Sequence, residues 1–209
     1  GIVYLTEDMN DGLFYRFIPN VPDRLAEGGK LQAMAIRGQA AADTRNQDSR
    51  SWNVGDWLEV DWIDMQDVES PKDDLRQRGH AAGAALVARG EGLWWGNDEL
   101  YMTATSGGPI RRGQVMRLQP NVAGGPDRLQ LFVESTDEKM VNMADNLTIA
   151  PWGDLILCED NYSSTTRNHI KGVTPDGKLY TIARNVFTGN AEFAGACFSP
   201  DGQVLFVNI

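Results

Sequence analysis

Three acidic residues stand at like points of a repeating pattern: Glu91, Asp145 and Glu192. Each precedes a short apolar run, a tight turn and a second apolar run. The clearest copy is Asp145-Asn146 followed by LTIAPWGDLILCED, which ends on Glu159-Asp160. The next begins at Glu192 and continues FAGACFSPDGQVLFV, with Pro200 and Gly202 falling 49 residues after Pro151 and Gly153. An earlier copy runs from Glu91 through GLWWGNDELYMT, and YLTED at Tyr4–Asp8 matches the ILCED that closes the copy at Asp145. Carboxylates that converge in a narrow channel repel one another and lose water, which raises their pKa unless a cation neutralises them. Hard oxygen ligands of this kind select Ca²⁺, Mg²⁺, Mn²⁺ or ferric iron over Zn²⁺. Glu91, Asp145 and Glu192 are therefore candidate metal ligands, and Asn146 could add an amide oxygen. A second reading stays open, in which these acids cap turns and hydrogen-bond backbone at the strand entries. The same choice applies to the pairs Glu7-Asp8 and Glu159-Asp160, where turn residues satisfying backbone amides are the simpler expectation.

A period near 50 residues, built from short strands and turns, predicts an all-β fold, a β-propeller, with the acids at the start of the innermost strands. About four periods are present, the second weakly resolved. The expected strands are Gly1–Asp8, Gly12–Pro19 and Lys30–Ile36, then one within Trp52–Asp64. They resume as Glu91–Trp95, Glu99–Thr105, Gly113–Pro120 and Leu129–Ser135, then Leu147–Ala150, Leu155–Cys158, Lys171–Thr174 and Lys178–Ala183. Asp73–Arg78 could form a short helix, and Gly79–Arg89 is ambiguous. The expectation for residues 1–209 is a single propeller domain, incomplete at both ends and so a section of a larger ring. Trp94 and Trp95 are expected in the core or on the channel wall, and Cys158 and Cys197 as buried free thiols.

The chain carries 29 acidic and 19 basic residues, a net charge of −10. That disfavours nucleic acid and anionic membrane, because no basic surface is available to release counterions. No apolar run is long enough to insert in a membrane. His80 and His169 lack ligand spacing, and the TSGG turn at Thr105–Gly108 lacks the Lys and helix of a phosphate loop.

The strings YLTED with GLFYRFIP, GEGLWW with LYMTATSGG and GQVMRLQP, ADNLTIAPWGDLILCEDN, and AEFAGACFSPDGQVLFVNI resemble the PhoX-type alkaline phosphatases and their uncharacterised relatives. The resemblance spans nearly the whole chain and is thinnest over Arg37–Arg78. It implies a β-propeller that is exported, hence periplasmic or extracellular, and that cleaves small phosphomonoesters with a calcium and iron (Ca²⁺, Fe³⁺) cluster. It carries the metal-ligand role onto Glu91 in GEGLWW, Asp145 in ADNL and Glu192 in AEFAG, and more weakly onto Asn146. The family's cysteine iron ligand sits in a motif this sequence does not contain, so neither Cys158 nor Cys197 takes that role. Arg111, Arg112 and Arg184 are candidates for a phosphate-binding arginine, with nothing to separate them. Two rival functions remain: a non-catalytic propeller whose structural calcium supports partner binding, and a lactonase- or dehydrogenase-like propeller with one catalytic calcium.

Overall fold

In the computed structural model, described over residues 1–187 and 191–209, the chain is a β-propeller section. The first sheet group holds β1 (Val3–Thr6), β2 (Phe14–Pro19), β3 (Gly29–Ile36) and β4 (Trp57–Asp64). A helix α1 (Leu75–Ala81) follows, where the sequence suggested one from Asp73. The second group is β5 (Gly90–Gly96), β6 (Glu99–Ala104), β7 (Gln114–Gln119) and β8 (Asp127–Glu134). The third is β9 (Ala144–Ile149), β10 (Leu155–Glu159), β11 (His169–Val173) and β12 (Leu179–Arg184), and β13 (Ala194–Phe198) with β14 (Leu205–Asn208) opens a fourth. Every pairing among these strands is antiparallel.

Alternation along each second strand explains how the blades stack. Side chains at i and i+2 share a face, and neighbours point to opposite faces. In β10, Leu155 and Leu157 pack toward the second blade with Tyr101, Val115 and Val133. Ile156 and Cys158 point the other way and pack with Phe193 and Ala196 of the fourth. In β6 the same rule sends Leu100 and Met102 toward Phe14 and Met34 of the first blade, and Tyr101 toward the third. A strand buried on both faces needs apolar residues at every position, which is why ILC and LYM read as unbroken runs. The turns that close the paired strands place Gly153 (φ 96°) and Gly202 (φ 71°) at matching points in the left-handed region, where glycine is the default residue.

One connection departs from separate blades. β4, from the stretch of weakest periodicity, pairs with β8 from Trp57↔Gln130 to Val60↔Asp127. The first two blades thereby join edge to edge into one eight-stranded sheet. The join satisfies two outer edges that would otherwise expose unpaired backbone. Its seam is fastened by Asp127, whose Oδ2 accepts from Trp62 Nε1 at 2.7 Å and from Arg16 Nη1 at 3.1 Å. Arg117 and Arg128 both lie over the Trp57 ring, at 4.9 and 4.5 Å from its centroid.

Two expectations are corrected here. Cys197 is exposed, unlike the buried Cys158, because it falls on the outer face of a two-stranded pair. For Trp94 and Trp95 the core half of the expectation fails: they are 39% and 52% exposed and line an open apolar groove with Ile2 and Val122.

Candidate metal centre

Glu91 and Asp145 each occupy the second position of an innermost strand, β5 and β9. Glu192 lies two residues before β13. The residue two places ahead of the first two acids, Arg89 (φ 53°) or Met143 (φ 59°), takes a left-handed backbone conformation. Such strain in non-glycine residues persists only where the surroundings hold it. Here it turns each chain sharply into its inner strand and aims the acid at the neighbouring blade.

The end of each second strand faces the next blade's acid. Position by position, Asp8, Thr105 and Asp160 are equivalent. Asp8 neighbours Glu91, Thr105 Oγ1 donates to Asp145 Oδ1 at 3.3 Å, and Asp160 neighbours Glu192. The backbone is tied in the same phase: Thr6 Oγ1 donates to the Glu91 carbonyl at 2.7 Å, and Thr103 Oγ1 to the Asp145 carbonyl at 2.5 Å. Gly92 sits where β5 and β9 nearly touch. A Cβ added there would lie 2.4 Å from Asp145 O and 2.8 Å from Leu147 N, so only glycine fits.

The result is a concentrated negative site. One oxygen from each of Asp145, Asp160 and Glu192 lies within 4.8 Å of the others. Burial, then Asp145 and Asp8, push Glu91 up to about 7. Burial first and Asp160 second raise both Asp145 and Glu192 above the usual carboxylate range. Arg89 supplies the local positive charge: its Nε and Nη2 donate to Asp8 at 2.7 and 3.2 Å, and Asp8 in turn holds the guanidinium firmly protonated. Tyr162, on the loop after Asp160, has its phenol raised chiefly by a hydrogen bond to Asp160, with Arg89 acting the other way.

The acid pairs divide their work. In an extended strand, adjacent side chains point to opposite faces. Glu159 turns inward, is fully buried, and accepts from the Asn142 amide at 2.9 Å, the His169 amide at 2.8 Å and His169 Nδ1 at 2.9 Å. Glu7 accepts from the Leu13 amide at 3.1 Å and the Tyr15 hydroxyl at 2.8 Å. For these two glutamates, satisfying backbone amides is the role the structure gives. Their neighbours Asp8 and Asp160 face the acidic centre instead.

Of the four residues singled out in the sequence, Asp145 and Glu192 meet in the three-carboxylate group, and Glu91 lies beside it against Asp8 and Asp145. Asn146 has its Oδ1 engaged by the Gly195 amide at 2.7 Å, which ties β9 to β13. Asp160 and Arg89 were missed. The signal for Asp160 was available, because one member of each recurring Glu-Asp pair had to face away from the other's partners. Arg89 has no comparable mark beyond standing two residues before Glu91. The arginines proposed from sequence lie elsewhere: Arg111 pairs with Asp48 at 2.8 Å, Arg112 with Glu138 at 3.0 Å, and Arg184 lines a cavity on the flank of the third blade.

A family model described as alkaline phosphatase PhoX matches residues 1–209. Among solved structures, the chain is similar to Pseudomonas fluorescens PhoX in complex with vanadate, a transition state analogue, with a TM-score of 0.72 at 20% identity. The similarity covers 99% of this chain and 45% of that one, so the chain spans less than half the length of the solved relative. No curated protein matches the chain at a comparable level.

Proposed function

Because this chain belongs to the alkaline phosphatase PhoX family, we infer that it carries part of the active centre of a metal-dependent phosphomonoesterase. The observation that supports this most is the convergence of Asp145, Asp160 and Glu192 from successive propeller blades. Carboxylates held that close, with raised pKa values, favour either protons or a cation, and at neutral pH a hard divalent ion is the stronger competitor.

The donor set fits calcium: it is all oxygen, partly exposed, and able to offer one or two atoms from each carboxylate. We assign Asp145, Asp160 and Glu192 as ligands, with Glu91 and Asp8 completing the acidic rim. Asn146 holds the β9–β13 junction and contributes through backbone placement. Cys158 is buried in the apolar packing against Phe193 and Ala196, and burial pushes its thiol up to about 11, so we do not assign it as an iron ligand. When bound, calcium and iron supply Lewis-acid charge that offsets the negative charge on a phosphoryl group in the transition state.

The chain's own residues have distinct tasks in this reading. Arg89 is the guanidinium nearest the centre and is oriented by Asp8; it binds and orients phosphoryl oxygens bidentately. Tyr162 bridges the rim between Asp160 and Arg89, with its hydroxyl engaged by the Asp160 carboxylate. Thr105 fixes the rotamer of Asp145. The substrate class is a small phosphomonoester, and the family resemblance puts the site of action in the periplasm or outside the cell. Among the described residues no helix is long and apolar enough to cross a membrane.

Hydrolysis of a chromogenic phosphomonoester by the full-length protein, with and without a calcium chelator, tests this reading. Turnover that is abolished by the chelator and restored by calcium is expected. Turnover unaffected by metal removal, or no turnover with the metals fully loaded, would overturn it.

A further inference from the structure

A cavity of about 600 Å³ opens on the flank of the third blade, on the far side of Glu159 from the acidic centre. Arg167, Arg184, Lys139 and His169 line it, with the hydroxyl-bearing Thr165 and Thr166. In a chain of net charge −10 the three cations Arg167, Arg184 and Lys139 are an unusual concentration. Two acids also stand on the rim, but each is engaged elsewhere. Glu138 pairs with Arg112 at 3.0 Å, and Asp137 Oδ1 accepts from the Lys139 backbone amide at 2.9 Å.

The cations, by contrast, lack counter-charges. Among the described residues, no carboxylate pairs with the side chains of Lys139, Arg167 or Arg184. Arg167 Nη1 donates to the carbonyl of Phe187. Below the wall lies Lys171, only 5% exposed. Its Nζ donates to the carbonyl of Lys139 at 3.0 Å and to Thr181 Oγ1 at 3.1 Å, both neutral acceptors. Its charge faces the buried Glu159 carboxylate, so the open positive charge of the wall comes from Lys139, Arg167 and Arg184. His169 completes the lining with Nδ1 fixed on Glu159 Oε2 at 2.9 Å, which leaves Nε2 without an assigned partner.

We propose that this cavity is an oxyanion-binding site, separate from the acidic centre, that takes a tetrahedral anion such as a phosphate group on Arg167, Arg184 and Lys139. Guanidinium groups match tetrahedral oxyanions bidentately, and partly shielded walls strengthen the attraction. The anion is either free phosphate or a second phosphate on a larger ligand. The site's existence does not depend on the phosphatase reading.

The test is calorimetric titration of the full-length, calcium-loaded protein with sulfate, at ionic strength held constant with chloride. Arg184→Ala should weaken sulfate binding at least threefold, and the R167A/R184A double variant at least tenfold. Arg37→Ala, an exposed arginine of the first blade, should leave it unchanged. Unaltered affinity in both R184A and R167A/R184A overturns the proposal. So does an equal loss of binding in R37A, which would make the effect one of overall charge. Arg184 is exposed, so its truncation is not expected to impair folding. Titrations with inorganic phosphate and with a hexose bisphosphate distinguish the sources. Arg184-dependent binding of inorganic phosphate identifies the free ion. Dependence seen only with the bisphosphate identifies a distal phosphate. Dependence with neither contradicts the site.

Discussion

If the proposed centre holds calcium, chelating that ion should make the protein's stability fall as pH rises between about 5 and 8. The cause is the acidic centre, above all Glu91, whose pKa is pushed up to about 7 by burial, Asp145 and Asp8. A carboxylic acid that holds its proton more tightly folded than unfolded stabilises the fold while it stays protonated. Its contribution is fully present below the unfolded value, near 4.3, and is lost as pH climbs through 7. The whole shift, from about 4.3 to about 7, corresponds to about 4 kcal/mol at 1.36 kcal/mol per unit. Glu91 is only partly buried, so screening by water reduces the expectation to about 1–2 kcal/mol. Asp145 and Glu192 are raised as well and act in the same direction. Arg89 opposes the effect on Glu91 and Asp145 and is already counted in these shifts. The lowered aspartates, such as Asp43 and Asp61, held down first by Arg45 and Arg37, titrate below this window. Urea unfolding in chelator at pH 5.5, 6.5 and 8 measures the slope, and Glu91→Gln should flatten it. With excess calcium the slope should vanish or reverse, because the ion binds the deprotonated centre. Chelated stability that rises with pH, or is blind to calcium at pH 8, would refute the reasoning.

Three further outcomes follow from the geometry. Gly92→Ala forces a methyl group against the β9 backbone where β5 meets it, with contacts down to 2.4 Å. It should cost about 3 kcal/mol or more and weaken calcium binding, measured by urea unfolding and calorimetry. Glu159→Gln removes the charge that holds the His169 and Asn142 amides behind Asp160. Calcium affinity should drop by about 10–100-fold, the usual effect of losing support behind a ligand, with the circular dichroism spectrum unchanged. Leu157→Ala, at a fully buried site between the second and third blades, should destabilise by about 2–5 kcal/mol without altering calcium stoichiometry.

The regular blades were legible because their strands are buried on both faces and closed by glycine turns. LTIA and LILC, joined by PWGD, mark two strands and their phase with little ambiguity. The β4–β8 join was not legible. It is made by backbone pairing between residues 67 to 73 positions apart, and by Arg16, Trp62 and Asp127, none of which share a local pattern. Trp94 and Trp95 misled because bulky aromatics read as core, whereas these stand at the open edge of β5. At the centre, repeat phase picked out Glu91, Asp145 and Glu192, since acids at one phase of a propeller converge. Asp160 was assigned to the turn with Glu159, although alternation along β10 sends the two to opposite sides. Arg89 gains its place only from the fold, through Asp8, 81 residues earlier in the chain.

The claim on which the rest depends is that Asp145, Asp160 and Glu192 hold a metal ion together. The direct measurement is the calcium content of the full-length protein by elemental analysis after dialysis, compared with D145N, D160N and E192Q. The account predicts bound calcium in the wild type and loss of the same equivalent in each of the three variants. Equal calcium content in wild type and all three, or no calcium in the wild type, would contradict it.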